Sequence, residues 1–189
     1  MNIFAFLPSP SRGSIDLGFL DLRAYGMMIA LGVVAAVWVA QKRWVAKGGH
    51  EDDITAIASW AVPAGLIGAR VYHVATDWKR YQGSWGDAVK IWEGGLGIPG
   101  GLAAGIIVGV LVARKRGISP SGILDAVIPS LPIAQAIGRL GNWFNQELFG
   151  GPTDLPWGLK IDAAHRPTEF MHVATFHPTF LYEGLWNLA

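Results

Sequence analysis

The sequence predicts an all-α, polytopic transmembrane helical bundle with an outward-facing polar segment between its fourth and fifth spans. Three observations predict it. Charged residues make up only 15% of the 189, and hydrophobic ones 51%, whereas an average soluble domain carries about a quarter charged residues. The apolar residues lie in long runs instead of being dispersed, and the mean hydropathy is +0.34. Basic clusters close alternate runs, which is the pattern that fixes orientation in a membrane. A soluble domain of this length would cover its core with a much more charged shell, so that class is excluded.

Residues 1–20 lack a basic stretch followed by a continuous apolar core and a small-residue cleavage site. They read as a short exposed N-terminus, not a cleaved signal peptide. The first span covers about 22–41 and is closed by Gln41-Lys42-Arg43-Trp44, with Lys47 just beyond. The second, about 54–75, follows the acidic Glu51-Asp52-Asp53. Residues 76–93 form a polar loop holding Trp78, Trp85 and Trp92, a placement typical of headgroup depth. The third span, about 96–113, is closed by Arg114-Lys115-Arg116, and the fourth, about 123–138, contains Pro129 and Pro132. Such prolines are tolerated in membrane helices where neighbours satisfy the freed backbone groups. Residues 139–177 form the outward-facing segment, and 178–189 open a last apolar stretch. That stretch is too short for a bilayer crossing of about 20 residues. The expectation is a single integral membrane domain, truncated at its C-terminus.

Orientation follows from the basic clusters. Lys42, Arg43 and Lys47 after span one, and Arg114, Lys115 and Arg116 after span three, would be cytoplasmic. The N-terminus, residues 76–93 and residues 139–177 would then lie outside. The net charge of +1 carries no nucleic-acid signal. Cysteine is absent, so the chain supplies no disulfide, no thiolate metal site and no thiol nucleophile of its own. No spacing of metal ligands is evident either.

The strongest chemical signal is Gly138-Arg139-Leu140-Gly141-Asn142-Trp143-Phe144-Asn145-Gln146-Glu147-Leu148-Phe149-Gly150. If the fourth helix continues, Arg139, Asn142 and Asn145 fall close to one face. A guanidinium fork beside two amides suits a phosphate. An arginine snorkelling from a helix end would explain Arg139 alone, but not three further hydrogen-bonding side chains beside it. Arg70 interrupts an otherwise clean apolar run, with His73 three residues on. It could face a ligand or reach the outer headgroups, and the residues leave these two readings level. Gly94-Gly95-Leu96-Gly97-Ile98-Pro99-Gly100-Gly101 opens the third span. It lacks the lysine and Ser/Thr of a phosphate loop, and could be an unwound cavity lining or a tight helix contact. His177, Tyr182 and Glu183 lie at the start of the last segment, and Tyr25 at the outer end of span one. Taken singly, such groups are most often caps or headgroup-level aromatics.

With these residues the sequence resembles the prolipoprotein diacylglyceryl transferases, the bacterial membrane enzymes that begin lipoprotein maturation. The resemblance covers essentially the whole chain. The run 138–150 is its most specific part, supported by Arg23-Ala24-Tyr25-Gly26, Gly68-Ala69-Arg70, residues 92–101 and His177-Pro178-Thr179 with Leu181-Tyr182-Glu183. It implies a seven-span enzyme of the bacterial plasma (inner) membrane, with its active site towards the extracytoplasmic face and further spans, including a functional arginine, beyond residue 189. The implied reaction moves the diacylglyceryl group of phosphatidylglycerol to the lipobox cysteine of a preprolipoprotein signal peptide, forming a thioether and releasing glycerol-1-phosphate. The partners are thus phosphatidylglycerol, that signal peptide and membrane lipids, with no nucleic acid, no metal and no organic cofactor. Catalytic roles would fall to Arg139, Glu147 and Tyr25. Substrate binding would fall to Arg139, Asn142, Asn145, Gly150, Arg70, His177 and Tyr182. Glu147 would hold Arg139 or the glycerol hydroxyls.

One departure bears on mechanism. Between Ile98 and Gly100 many members of that family carry a histidine often proposed as the base; here Pro99 stands there and accepts no proton. Glu147, His73, His177 or residues outside this sequence are the alternatives. An anionic-lipid transporter or flippase could use the same arginines, although no internal repeat of the kind many transporters show is evident. A purely structural subunit would leave the polar cluster at 139–147 without a reason.

Overall fold

In the computed structural model, described for residues 6–10, 12–16, 21–91 and 94–189, the chain is predominantly helical. Of the glycine-rich entry, Trp92 and Glu93 lie outside the described residues, as does half of the N-terminal stretch read as a non-cleaved terminus. Among the described residues, four stretches are long and apolar enough to cross a membrane: Ala24–Ala46, Glu51–Thr76, Ile98–Lys115 and Pro120–Asn145. The first three are helices α1, α2 and α3; the fourth is α4 (Pro120–Val127), a turn of 3-10 helix, and α5 (Leu131–Asn145). Helix α6 (Thr179–Leu188) ends the order. Two short antiparallel pairs complete it: β1 (Ser14–Asp16) with β2 (Asp21–Arg23), and β3 (Leu159–Lys160) with β4 (Thr175–Phe176). The chain divides into two compact units, residues 39–127 and residues 1–38 with 128–189.

The unit 39–127 is built on α2 against α3. Helix α2 starts at His50, whose ring accepts from the Asp52 N–H while the Asp53 carboxylate accepts from the His50 N–H. Together with Glu51, these acids suit the positive end of the helix dipole. Lipid tails are as apolar as leucine, so helices meet here by close backbone approach between small residues. A methyl group on Gly68 would lie 2.5 Å from the Gly100 carbonyl oxygen, and one on Gly65 3.2 Å from that of Gly101. Gly100 and Gly101 of the α3 entry are therefore a helix contact; α3 is already helical at Ile98, and Pro99 occupies its first turn, where a missing N–H costs nothing.

At the basic end, the buried Asp53 carboxylate accepts from Trp44 Nε1 and from Arg116 Nη2, each at 3.0 Å. Lys47 reaches Asp125 at 3.8 Å. The α1–α2 and α3–α4 loops, both basic, thus share one end of this unit. At the opposite end, Arg70 is only 7% exposed and holds the α2–α3 loop. Its Nε donates to Ala88 O at 2.7 Å, Nη2 to Asp87 O at 2.7 Å, and Nη1 to Gly94 O and Gly95 O at 2.5 and 3.0 Å. The Tyr81 ring lies 5.5 Å from the guanidinium carbon, a cation–π distance. In the same loop the Lys90 ammonium, 2.6 Å away, and the Ser84 hydroxyl hold the Asp87 carboxyl below the usual carboxylate range.

In the other unit, the N-terminal half of α1 runs along α5. A methyl on Gly32 would meet the Ala134 carbonyl oxygen at 2.8 Å, and one on Gly138 the Ile29 side chain at 3.4 Å. Within 139–177, expected to be a polar outward segment, residues 149–177 enclose an apolar core. Leu159, Ile161 and Phe176 are 2% exposed or less and pack with Leu7, Trp143, Phe149, Phe170, Val173 and Phe180. Leu159 and Ile161 alternate as a half-buried strand requires.

Candidate functional site

Helix α5 does not stop at 138. It runs to Asn145, so Arg139, Asn142 and Asn145 occupy its last two turns, three residues apart. The helix ends because Gln146 adopts the left-handed conformation, φ 51°, and Leu148 repeats it at φ 52°. Such angles are costly away from glycine. Gln146 is held there by its side chain: Nε2 donates to Pro10 O and to Asp162 Oδ2, while Oε1 accepts from the Asp162 N–H at 2.8 Å. The two left-handed residues flank Glu147 and turn its carboxylate back onto the helix. One oxygen, Oε1, accepts from Asn142 Nδ2 and from Asn145 Nδ2, each at 3.1 Å.

Glu147 therefore fixes the two amides. The expectation that it would hold Arg139 gives way to a different partner, because Arg139 Nη2 is ion-paired with Glu183 Oε2 on α6. Asn142, 5% exposed, places its Oδ1 3.5 Å from Arg139 Nη1. Asn142 thus stands between the arginine and the second carboxylate. Tyr25 begins α1 directly over Gly141: a methyl at 141 would meet Tyr25 Cδ2 at 2.6 Å and its Cα at 3.2 Å. The glycine lets the tyrosine backbone lie against α5 one turn before Asn145.

The last segment joins the cluster through α6. Gly150 N–H donates to His177 O at 2.9 Å and His177 N–H to Gly151 O at 3.0 Å. A methyl on Gly150 would lie 2.8 Å from His177 Cβ, so this glycine serves close strand-like pairing. Thr179 Oγ1 donates to the Leu148 carbonyl, tying the first turn of α6 to the strained turn. Tyr182 OH accepts from Trp157 Nε1 at 3.0 Å and lies 3.1 Å from His177 Nδ1.

One unit thus holds Tyr25, Arg139, Asn142, Asn145, Glu147, Gly150, His177 and Tyr182. Arg70 and His73 belong to the other unit. There Arg70 serves the loop described above, and His73 Nε2 is buried with no hydrogen-bond partner among the described residues. Arg70→Ala is expected to leave several loop carbonyls unpaired and destabilise that loop by about 1–3 kcal/mol. Limited proteolysis should then cut within 77–95 much faster than in the parent protein, and equal cutting would contradict the loop-holding role. Sequence reasoning gave no role to Glu183, Gln146, Asp162 or Trp157. A signal for Glu183 existed: a carboxylate and an arginine in separate apolar helices each need a partner. Among the described residues, no group of histidine and acidic side chains is arranged to hold a metal.

What this arrangement offers is a half-exposed guanidinium, flanked by two amides already oriented by a carboxylate. That is a grip for a phosphate ester. The family model for prolipoprotein diacylglyceryl transferase matches residues 12–189. Phosphatidylglycerol–prolipoprotein diacylglyceryl transferase 2 of Streptomyces coelicolor is 54% identical over 187 residues, covering 97% of this chain and 59% of that protein. The enzyme so named in Frankia alni is 53% identical, covering 98% of the chain and 50% of its own length. That of Cutibacterium acnes is 47% identical, with 96% and 62% covered. The chain spans a little over half the length of these curated relatives.

Proposed function

The chain belongs to the prolipoprotein diacylglyceryl transferase family, and from that premise we propose that it carries the headgroup-binding part of such a transferase. The proposed activity transfers the diacylglyceryl group of phosphatidylglycerol to the lipobox cysteine thiol of a preprolipoprotein. The observation that carries this reading is Arg139, on one face of α5 with Asn142 and Asn145, the amides held by Glu147. In the reaction the cysteine sulfur attacks the glyceryl carbon that bears the phosphate ester. The carbon–oxygen bond breaks, its electron pair stays on the phosphate oxygen, and glycerol-1-phosphate departs. The thiol proton passes to a base.

The phosphate gains negative charge as that bond breaks, so a guanidinium aimed at it stabilises the transition state more than the ground state. Arg139 takes this role. Asn142 and Asn145 orient the headgroup, and Tyr25, seated on Gly141, borders the same face. Gly150 aligns the 177–182 segment, whose His177 and Tyr182 line the approach to the lipid. Pro99 lies in the first turn of α3 and is no base. The base is sought among Glu147, His73, His177 and residues outside this sequence; Glu147 already accepts two hydrogen bonds.

We further place the protein in a bacterial plasma membrane, with this cluster at the extracytoplasmic face. The shared end of the basic α1–α2 and α3–α4 loops supports that orientation. The test is incubation of the membrane-reconstituted protein with phosphatidylglycerol labelled in its acyl chains and a lipobox peptide. Label on the cysteine as a thioether, with glycerol-1-phosphate released, is the expected result. Movement of lipid between leaflets without covalent transfer would overturn the enzyme reading in favour of lipid transport.

A further inference from the structure

The ion pair between Arg139 and Glu183 has a consequence for how the site fills. The two side chains come from different helices, α5 and α6, and the protein encloses neither, 36% and 48% of their surface being uncovered; the proposed orientation sets them at the water-facing end of the helices. A pair in that setting contributes little, typically about 0–1 kcal/mol. It is therefore exchangeable. A phosphate offers two oxygens in the geometry of the guanidinium fork and makes a charge-assisted bidentate contact. Neighbouring groups favour the exchange too. Asn142 and Asn145 are held by Glu147 and not by Glu183, so their orientation survives the departure of Glu183. The first turn of α6 is anchored independently by Thr179 on the Leu148 carbonyl and by the pairing of Gly150 with His177. Loss of one ion pair in the second turn does not free the helix.

We propose that Glu183 is the resting counter-ion of Arg139 and occupies the place that an anionic phosphate must take, so that the site binds by exchange of a carboxylate for a phosphate. Glu183 acts through Arg139: it holds the guanidinium in position while the site is empty and competes with the ligand for it. The inference rests on the reading of Arg139 as the phosphate-binding residue. It gives the effect of Glu183 a sign opposite to that of a structural prop. Removing its charge strengthens ligand binding, whereas removing a prop weakens it.

The experiment titrates the detergent-solubilised protein with short-chain phosphatidylglycerol and, separately, with glycerol-1-phosphate, by calorimetry. The parent protein, Glu183→Gln, Glu183→Asp and Arg139→Ala are compared. Glu183→Gln keeps the shape and hydrogen-bonding reach of the side chain without its charge. Its dissociation constant for phosphatidylglycerol is expected to fall by up to about fivefold, the ceiling set by an exposed pair. Glu183→Asp, which keeps the charge, should return affinity towards the parent value. Tightening for both ligands supports exchange and identifies the phosphate itself as the occupant. Tightening for the lipid alone supports exchange and identifies a lipid headgroup. Unchanged or weaker binding by Glu183→Gln, with binding still abolished by Arg139→Ala, overturns the exchange while the phosphate-binding reading stands. Binding indifferent to Arg139→Ala overturns both.

Discussion

Arg139→Ala is expected to lower diacylglyceryl transfer by at least about 10²–10³-fold, the range seen when one charge-stabilising donor is removed from an active site. The effect should fall on the chemical step as well as on lipid binding, because charge on the phosphate grows as the carbon–oxygen bond breaks. The fold should survive. The partner left behind, Glu183, is 48% exposed and can be hydrated, so no buried charge is stranded. Arg139→Lys separates charge from shape. A lysine keeps the cation but lacks the planar fork that meets two phosphate oxygens, and it should recover only a small part of the activity. Transfer of labelled lipid to a lipobox peptide, with thermal unfolding of each variant alongside, checks both statements. Substantial activity in Arg139→Ala would remove the phosphate-binding role.

The second large effect concerns stability. Gly68→Val should separate α2 from α3, because its first carbon alone would meet the Gly100 carbonyl oxygen at 2.5 Å and the Ala104 methyl closer still. Backbone cannot turn aside as a side chain can. Overpacking of this kind costs about 1–3 kcal/mol even where neighbours adjust, and more where they cannot. The α2–α3 loop held by Arg70 should loosen with it, since its anchor sits on α2 while the loop that carries the acceptor carbonyls leads directly into α3. A clear fall in the unfolding midpoint, with faster proteolysis in 77–95, is the expected result. Gly86→Ala is the matched control: a methyl there meets nothing within 4 Å. Equal melting of the two variants would contradict the proposed contact.

Much of this architecture was legible in the residues, because apolar runs of bilayer length have few alternatives to helix. The helical class and the four long apolar stretches follow from composition alone. Where reading failed, the cause was long-range pairing. The polar run at 139–145 looks like the end of a helix, yet α5 continues through it, because its polar side chains are answered by Glu147 and Glu183, the latter from another element. Arg70 left ligand binding and a structural role level until its carbonyl partners at 87–95 were visible. The glycines at 94–101 were equally ambiguous; the contact of Gly100 and Gly101 with Gly68 and Gly65 decides for helix packing at those two. In residues 149–178, isolated apolar positions gave no hint that Leu159, Ile161 and Phe176 would meet in one small core. At the site itself, the motif pointed to Arg139, Asn142, Asn145 and Glu147, but not to which carboxylate meets which donor.

The most direct test of the account is a structure of the membrane-embedded protein with phosphatidylglycerol bound. It is predicted to show the lipid phosphate on Arg139, with Asn142 and Asn145 facing the headgroup, Glu147 still on the two amides, and Glu183 released from the guanidinium. A phosphate bound elsewhere, with Arg139 still paired to Glu183, would contradict it.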